Sequence, residues 1–193
     1  WCYSTSKALV EHYIKNLNIK ENLNYVIFRL FNVYGTGLEG RVLDKFIINA
    51  LQNKKITIYE KGLQTRCFLE VEDCMNGFYK VFENEKFYNK TYNIGSNKQT
   101  TVIDLANMII DLTNSKSKID FISYQELSKK GYEDMFLRIP DSSLLMNTTN
   151  WKPLIELETG LLKMIDDIKK RYKLWLIKIY QYLFNKNKKI END

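Results

Sequence analysis

Two kinds of apolar run alternate along this chain, and the alternation limits its fold more than any other feature. "YVIFRL" (25–30), "ITIY" (56–59), "CFLEV" (67–71), "TYNIG" (91–95) and "IDFIS" (119–123) are short and rich in β-branched or aromatic residues. Runs of that length and composition read as strands. Residues 3–18, 42–53, 73–83 and 101–112 instead space their apolar residues three and four apart, as helices do. A shorter helix is expected over 141–147, and Thr159 opens a last one. Asp73, Thr101 and Asp141 stand where a helix N-cap belongs. Strands that alternate with helices predict an α/β fold with a largely parallel sheet.

The chain can bury a core: 193 residues, 45% hydrophobic and 13% aromatic, with only two prolines. No uninterrupted apolar run reaches membrane-spanning length. Cys2, Cys67 and Cys74 lack metal-ligand spacing and His12 is the single histidine, so no metal site is expected. Reduced thiols in a cytoplasmic protein are the simplest reading. Residues 1–168 hold 21 basic and 21 acidic side chains, whereas 169–193 hold eight basic and two acidic ones, so the whole net charge of +6 lies in the tail. The body is therefore not expected to bind nucleic acid.

Gly35-Thr36-Gly37-Leu38-Glu39-Gly40 matches G-x-G-x-x-G, and Glu60 lies about twenty residues beyond it. A strand precedes the loop and a helix follows. The fingerprint, however, needs its first glycine at the strand's end, so that helix amides face a pyrophosphate. Here Phe31-Asn32-Val33-Tyr34 intervene, and Glu39 and Arg41 crowd the loop.

"YSTSK" places Tyr3 and Lys7 four apart, on one face of a helix. An ammonium one turn from a phenol favours the phenolate, which suits proton transfer. In a chain with 13 tyrosines such a spacing also arises by chance.

The pair is followed, in order, by "RLFNVYG" (29–35), "ITIYEKGLQTRCFLEVEDC" (56–74), "TYNIGSNKQTTVIDLANMI" (91–109), "GYEDMFLRIPDSSLL" (131–145) and "WKPLIELETGL" (151–161). This series, over about residues 3–168, resembles the extended short-chain dehydrogenases/reductases, and within them the NAD-dependent epimerase/dehydratase family acting on nucleotide sugars. The resemblance implies a Rossmann-type parallel sheet domain (1–40 and 66–95), a smaller nucleotide-sugar domain (41–65 and 96–168) and a basic aromatic tail (169–193). It implies that the cofactor's own glycine loop lies upstream, that Gly35–Gly40 is a coincidence and that Glu60 is not the ribose acid. A chain that opens Trp1-Cys2-Tyr3 is then expected to be the C-terminal part of a longer enzyme, inactive by itself.

The same resemblance implies NAD as cofactor and a nucleotide-diphosphate sugar as substrate. Tyr3 takes a sugar hydroxyl proton, Lys7 holds the nicotinamide ribose, and Leu30 is a further cofactor contact. Asn32, Arg66 and Arg138 meet the diphosphate. Asp141 meets the ribose or caps a helix. Tyr59 stacks on the base or belongs to the core, and Arg41 is a further phosphate contact. Arg29 is expected to be structural. A 4-epimerase acting through a 4-keto sugar leads the expectations, with a decarboxylase or 4,6-dehydratase and a non-catalytic fragment as alternatives. A homodimer is expected of the full-length enzyme. Cys67 where the family commonly has aspartate, and Thr36-Gly37 where proline is usual, put the local loop geometry in question.

From Lys169, "KKRYKLWLIKIYQYLFNKNKK" leaves a narrow polar stripe of Arg171, Lys178, Gln181 and Asn185 on a helical wheel. Such a helix packs on protein, or lies on an anionic membrane surface through 169–189.

Overall fold

The computed structural model describes residues 2–123 and 137–190, with side chains through residue 173. The first part of "GYEDMFLRIPDSSLL" thus lies outside the described residues. The chain divides into two compact units. The first is built from Trp1–Tyr34, Gln64–Thr101 and Glu133–Leu157, the second from Gly35–Leu63, Val102–Tyr132 and Glu158–Asp193.

In the first unit, α1 (Cys2–Glu21) leads into β1 (Val26–Leu30), which pairs in parallel with β6 (Lys90–Ile94) from Val26↔Lys90 to Leu30↔Ile94. β2 (Val33–Tyr34) pairs in parallel with β5 (Leu69–Glu70), and β4 (Thr65–Cys67) pairs antiparallel with β7 (Gln99–Thr101). "CFLEV" is therefore not one strand. It breaks at Phe68, and its two pieces serve different partners. α3 (Val71–Phe82) and α5 (Ser143–Thr149) complete the unit. Its core joins Leu69, Cys74, Val81, Tyr92, Ile94, Leu145 and Trp151, with Phe28 and Phe78 packed at the edge. Each such large side chain contributes about 1.5–3 kcal/mol of burial. Tyr92 is fully buried, and its hydroxyl donates to the Phe87 carbonyl at 2.8 Å, so no polar atom is stranded.

Asp73 does not cap α3. Glu70 does, its carboxylate accepting from Glu72 N. Asp73 is 2% exposed and turned inward, where Oδ2 accepts from Leu154 N at 2.9 Å and Ile155 N at 2.8 Å. Its carbonyl accepts from Trp151 Nε1. This one residue thus pins the returning segment 151–155.

In the second unit, β3 (Ile56–Tyr59) pairs in parallel with β8 (Ile119–Ile122). α2 (Val42–Leu51) and α4 (Val102–Thr113) pack together and on β3. Their inward faces, Leu43, Phe46, Ile47 and Ala50 with Leu105, Ala106 and Ile109, are buried. The last helix, α6, runs Leu157–Ile190 without a break and opens two residues before the expected Thr159. Gln52 Nε2 donates to the Tyr172 hydroxyl, and Arg171 pairs with Asp167 at 3.0 Å and Glu39 at 2.5 Å.

Candidate functional site

Open parallel α/β sheets hold ligands beyond the carboxyl ends of their strands, so the ends of β1 and β6 locate the site. Phe31 N donates to the Ile94 carbonyl at 3.1 Å, after which the chain turns at Asn32 with φ of 42°. Asparagine tolerates this left-handed conformation better than most residues. Asn32 Nδ2 donates to the Cys67 carbonyl at 2.9 Å, and its own carbonyl accepts from Leu69 N at 3.2 Å. The turn is thereby stitched to the break between β4 and β5.

A strap, residues 137–142, crosses these strand ends. Pro140 lies against Gly95, where an added Cβ would stand 2.6 Å from the proline ring. The buried Ser142 hydroxyl donates to the Gly95 carbonyl at 3.0 Å and accepts from Gly95 N at 3.1 Å. Asn93 Nδ2 donates to the Asp141 carbonyl at 2.9 Å. The Asp141 carboxylate accepts from Ser143 N at 3.0 Å, and hydrogen bonding to Ser143 holds it below the usual carboxylate range. Asp141 therefore steadies the start of α5 from just before the N-cap position, Ser142. The Arg138 guanidinium sits 5.4 Å from the Phe31 ring centroid, a cation–π distance. Asn32, Arg138 and Asp141 are brought to one edge of the β1/β6 pair in this way.

Tyr3 and Lys7 project from the same side of α1, with Lys7 Nζ 5.5 Å from the Tyr3 ring centroid. Tyr3 is 74% exposed, so its phenol is open to a flat partner. One turn further on, Glu11 takes a two-pronged hydrogen bond from Arg29 of β1, Nε–Oε1 2.7 Å and Nη2–Oε2 2.6 Å. Arg29 is thus structural. Leu30, the last residue of β1, is half-exposed. Arg66 lies on β4, where its Nη1 donates to the Thr65 carbonyl at 2.7 Å. Arg41 and Tyr59 belong to the second unit, Arg41 at the N-cap of α2 and Tyr59 at the end of β3.

The glycine loop is already occupied by the chain's own carboxylates. Asp44 Oδ2 accepts from Gly40 N at 2.8 Å and Oδ1 from Arg41 N at 2.7 Å. Asp167 Oδ2 accepts from Gly37 N at 3.0 Å. A pyrophosphate would have to displace buried Asp44 and enter against two negative charges. The open Tyr3–Lys7 flank does fit the nicotinamide-ribose end of a dinucleotide, with a phenol and a cation side by side. Reading the sequence did not single out Glu11, Ser142 or Gly95 as parts of the site. The strand-ending glycine of "TYNIG" and the spacing Tyr3, Lys7, Glu11 were the signals available.

A model of the NAD dependent epimerase/dehydratase family matches residues 1–95. Among curated proteins, UDP-N-acetyl-alpha-D-glucosaminuronate decarboxylase of Bacillus cytotoxicus is 31% identical over 86% of this chain and 52% of its own length. UDP-glucuronic acid decarboxylase 1 of Danio rerio is 30% identical over 85% of this chain and 38% of its own. The crystal structure of UDP-glucuronic acid 4-epimerase from Bacillus cereus, in complex with UDP-glucuronic acid and NAD, superposes with a TM-score of 0.78 at 25% identity, covering 88% of this chain and 53% of that one. The chain thus spans about half, or less, of the length of the relatives it matches, and its fold is Rossmann-type. The match to the NAD dependent epimerase/dehydratase family thus rests on residues 1–95 and on relatives of which the chain covers about half or less.

Proposed function

We propose that the chain carries the proton-transfer pair and part of the nucleotide-sugar site of an NAD-dependent enzyme that works through a 4-keto sugar. The observation that carries this reading is the Tyr3–Lys7 pair, open and on one side of α1, in the unit whose β1/β6 ends gather Asn32, Arg138 and Asp141. When bound, NAD supplies hydride acceptance and return at the sugar carbon. Tyr3 accepts the C4 hydroxyl proton as that C–H bond breaks, and later gives it back. Lys7, its ammonium 5.5 Å from the Tyr3 ring centroid, holds the nicotinamide ribose. Arg66 and Arg138 grip the diphosphate, since a guanidinium fork suits phosphate oxygens. Asn32 and Arg41 add contacts there, Asp141 takes the nucleoside ribose, Tyr59 packs on the base, and Leu30 lines the cofactor.

Two fates of the ketone compete. Epimerisation returns the hydride to the opposite face. In a uronic acid the C6 carboxylate is β to the C4 ketone, so the C5–C6 bond can break, its electron pair entering the carbonyl as carbon dioxide leaves. Both curated relatives named above are decarboxylases. That favours decarboxylation over the 4-epimerase that led the sequence expectations. Free, buried Cys67 and Cys74 suit a reducing, cytoplasmic setting. α1 buries none of its residues, and exposed Leu9, Val10, Tyr13 and Ile19 offer a surface for the cofactor half or for the second copy in a homodimer.

The test is turnover of UDP-glucuronic acid with NAD by the complete gene product, followed by NMR. A UDP-pentose with release of carbon dioxide is expected, while UDP-galacturonate would return the epimerase reading. Tyr3→Phe should lower kcat by about 10²–10⁴ and leave UDP affinity within about twofold. Unchanged turnover in that variant would sink the assignment.

A further inference from the structure

We infer that the Glu11–Arg29 ion pair is a positioning device that sets where the Tyr3–Lys7 pair stands relative to the carboxyl ends of β1 and β6. The inference rests on the reading of Tyr3 as the proton-transfer group. Tyr3, Lys7 and Glu11 are four and eight residues apart, so they follow one stripe of α1. Within this chain α1 fully buries none of its 20 residues, although Ile14 and Leu17 are half-buried. A directional contact fixes the rotation of such a helix more sharply than that packing does. Arg29 supplies it with both prongs of its fork, at 2.7 and 2.6 Å, a geometry lysine cannot reproduce. A second tie, Asn18 Nδ2 to Asn89 Oδ1 at 3.2 Å, lies seven residues further along α1. It limits tilt at the far end and leaves the end that carries Tyr3 to Glu11.

The strand side of the contact matters equally. Arg29 stands directly opposite Asn93 in the β1/β6 ladder, and Asn93 holds the strap through the Asp141 carbonyl. One rung of the sheet therefore grips the helix that bears the proton-transfer pair with one residue. With the other it grips the segment that bears Arg138 and Asp141. The phenol must be held within about 0.5 Å of its productive position for efficient transfer, and this rung links the two holders directly.

The test separates position from binding and from mere stability. In the complete gene product, Glu11→Gln and Arg29→Lys should each lower kcat about 10–100-fold. KM and the calorimetric Kd for UDP should stay within about twofold, and the melting temperature should fall by no more than a few degrees. The exchanged pair, Glu11→Arg with Arg29→Glu, should recover at least a third of the lost kcat, because the contact returns with its ends reversed. Loss of stability with kcat unchanged would overturn the inference, as would equal losses of kcat and UDP affinity, or a failure of the exchange to restore turnover in a folded protein. Tyr3→Phe is measured alongside. If it leaves turnover intact, the sugar-nucleotide reading itself has failed. If it abolishes turnover while the Glu11 and Arg29 variants remain normal, only the positioning role has.

Discussion

A methyl group on Gly95 would stand 2.6 Å from Pro140 Cγ and 2.9 Å from Phe31 Cβ. Neither neighbour can swing away, since one belongs to a closed ring and the other is fixed to the backbone. Gly95→Ala must therefore push the strap off the end of β6, and with it Arg138, whose guanidinium rests over Phe31. Overpacking of this kind costs about 1–3 kcal/mol, and calorimetric melting should show it. UDP affinity should fall in the same variant, whereas Ala at exposed Gly37 or Gly40, with open space around the added carbon, strains only its own backbone. The glycine was legible as the end of "TYNIG". Its reason was not, because Pro140 approaches from 45 residues further along the chain. Arg138 and Asp141 were readable as a motif. Glu11 was not, since its partner sits on a strand whose register no local pattern discloses.

At the scale of elements, α1 is tied to β1 by the Glu11–Arg29 pair, and that tie is acid-sensitive. The hydrogen bond from Arg29 holds the Glu11 carboxyl below the usual carboxylate range, which is about 4.3 for an unpaired glutamate. A group depressed on folding contributes stability above its unfolded value and loses it as pH falls through its folded one. For a partly exposed pair the contribution is about 0.2–1 kcal/mol. Amide exchange corrected for intrinsic rates should therefore show α1 losing protection below about pH 4 while α3, held by buried Cys74 and Val81, keeps its own. Glu11→Gln should remove that difference, and a pH-independent α1 in the parent protein would refute the account. The elements themselves were largely visible as apolar periods. Their ends were not: Asp73 looked like a cap, yet the amides it serves belong to residues 154 and 155. Similarly, the glycine loop was legible as crowded, but not as filled by Asp44 and Asp167, the latter 130 residues from Gly37.

At the scale of the whole chain, charge and helix continuity bear on each other. The body is neutral and the excess of +6 lies beyond residue 168. The sequence suggested a terminal helix and a separate tail, whereas α6 joins them into one element of 34 residues. No proline follows Pro153 and no glycine follows Gly160, so nothing in the composition stops the helix. Among the described residues no helix is long and apolar enough to cross a membrane. A basic helix rich in aromatic residues is instead suited to an anionic lipid surface, where each cation adds roughly 1 kcal/mol, or about fivefold in partitioning. The whole chain should therefore sediment with vesicles containing about a third anionic lipid but not with neutral ones, and lose binding steeply as salt shortens the Debye length. Changing Lys178, Lys186, Lys188 and Lys189 to Glu lowers the net charge from +6 to about −2, yet leaves the contacts of Arg171 and Tyr172 in place. That variant should stay in the supernatant. Equal sedimentation of both proteins, or concentration-dependent self-association that ignores lipid, would assign the segment to protein packing instead.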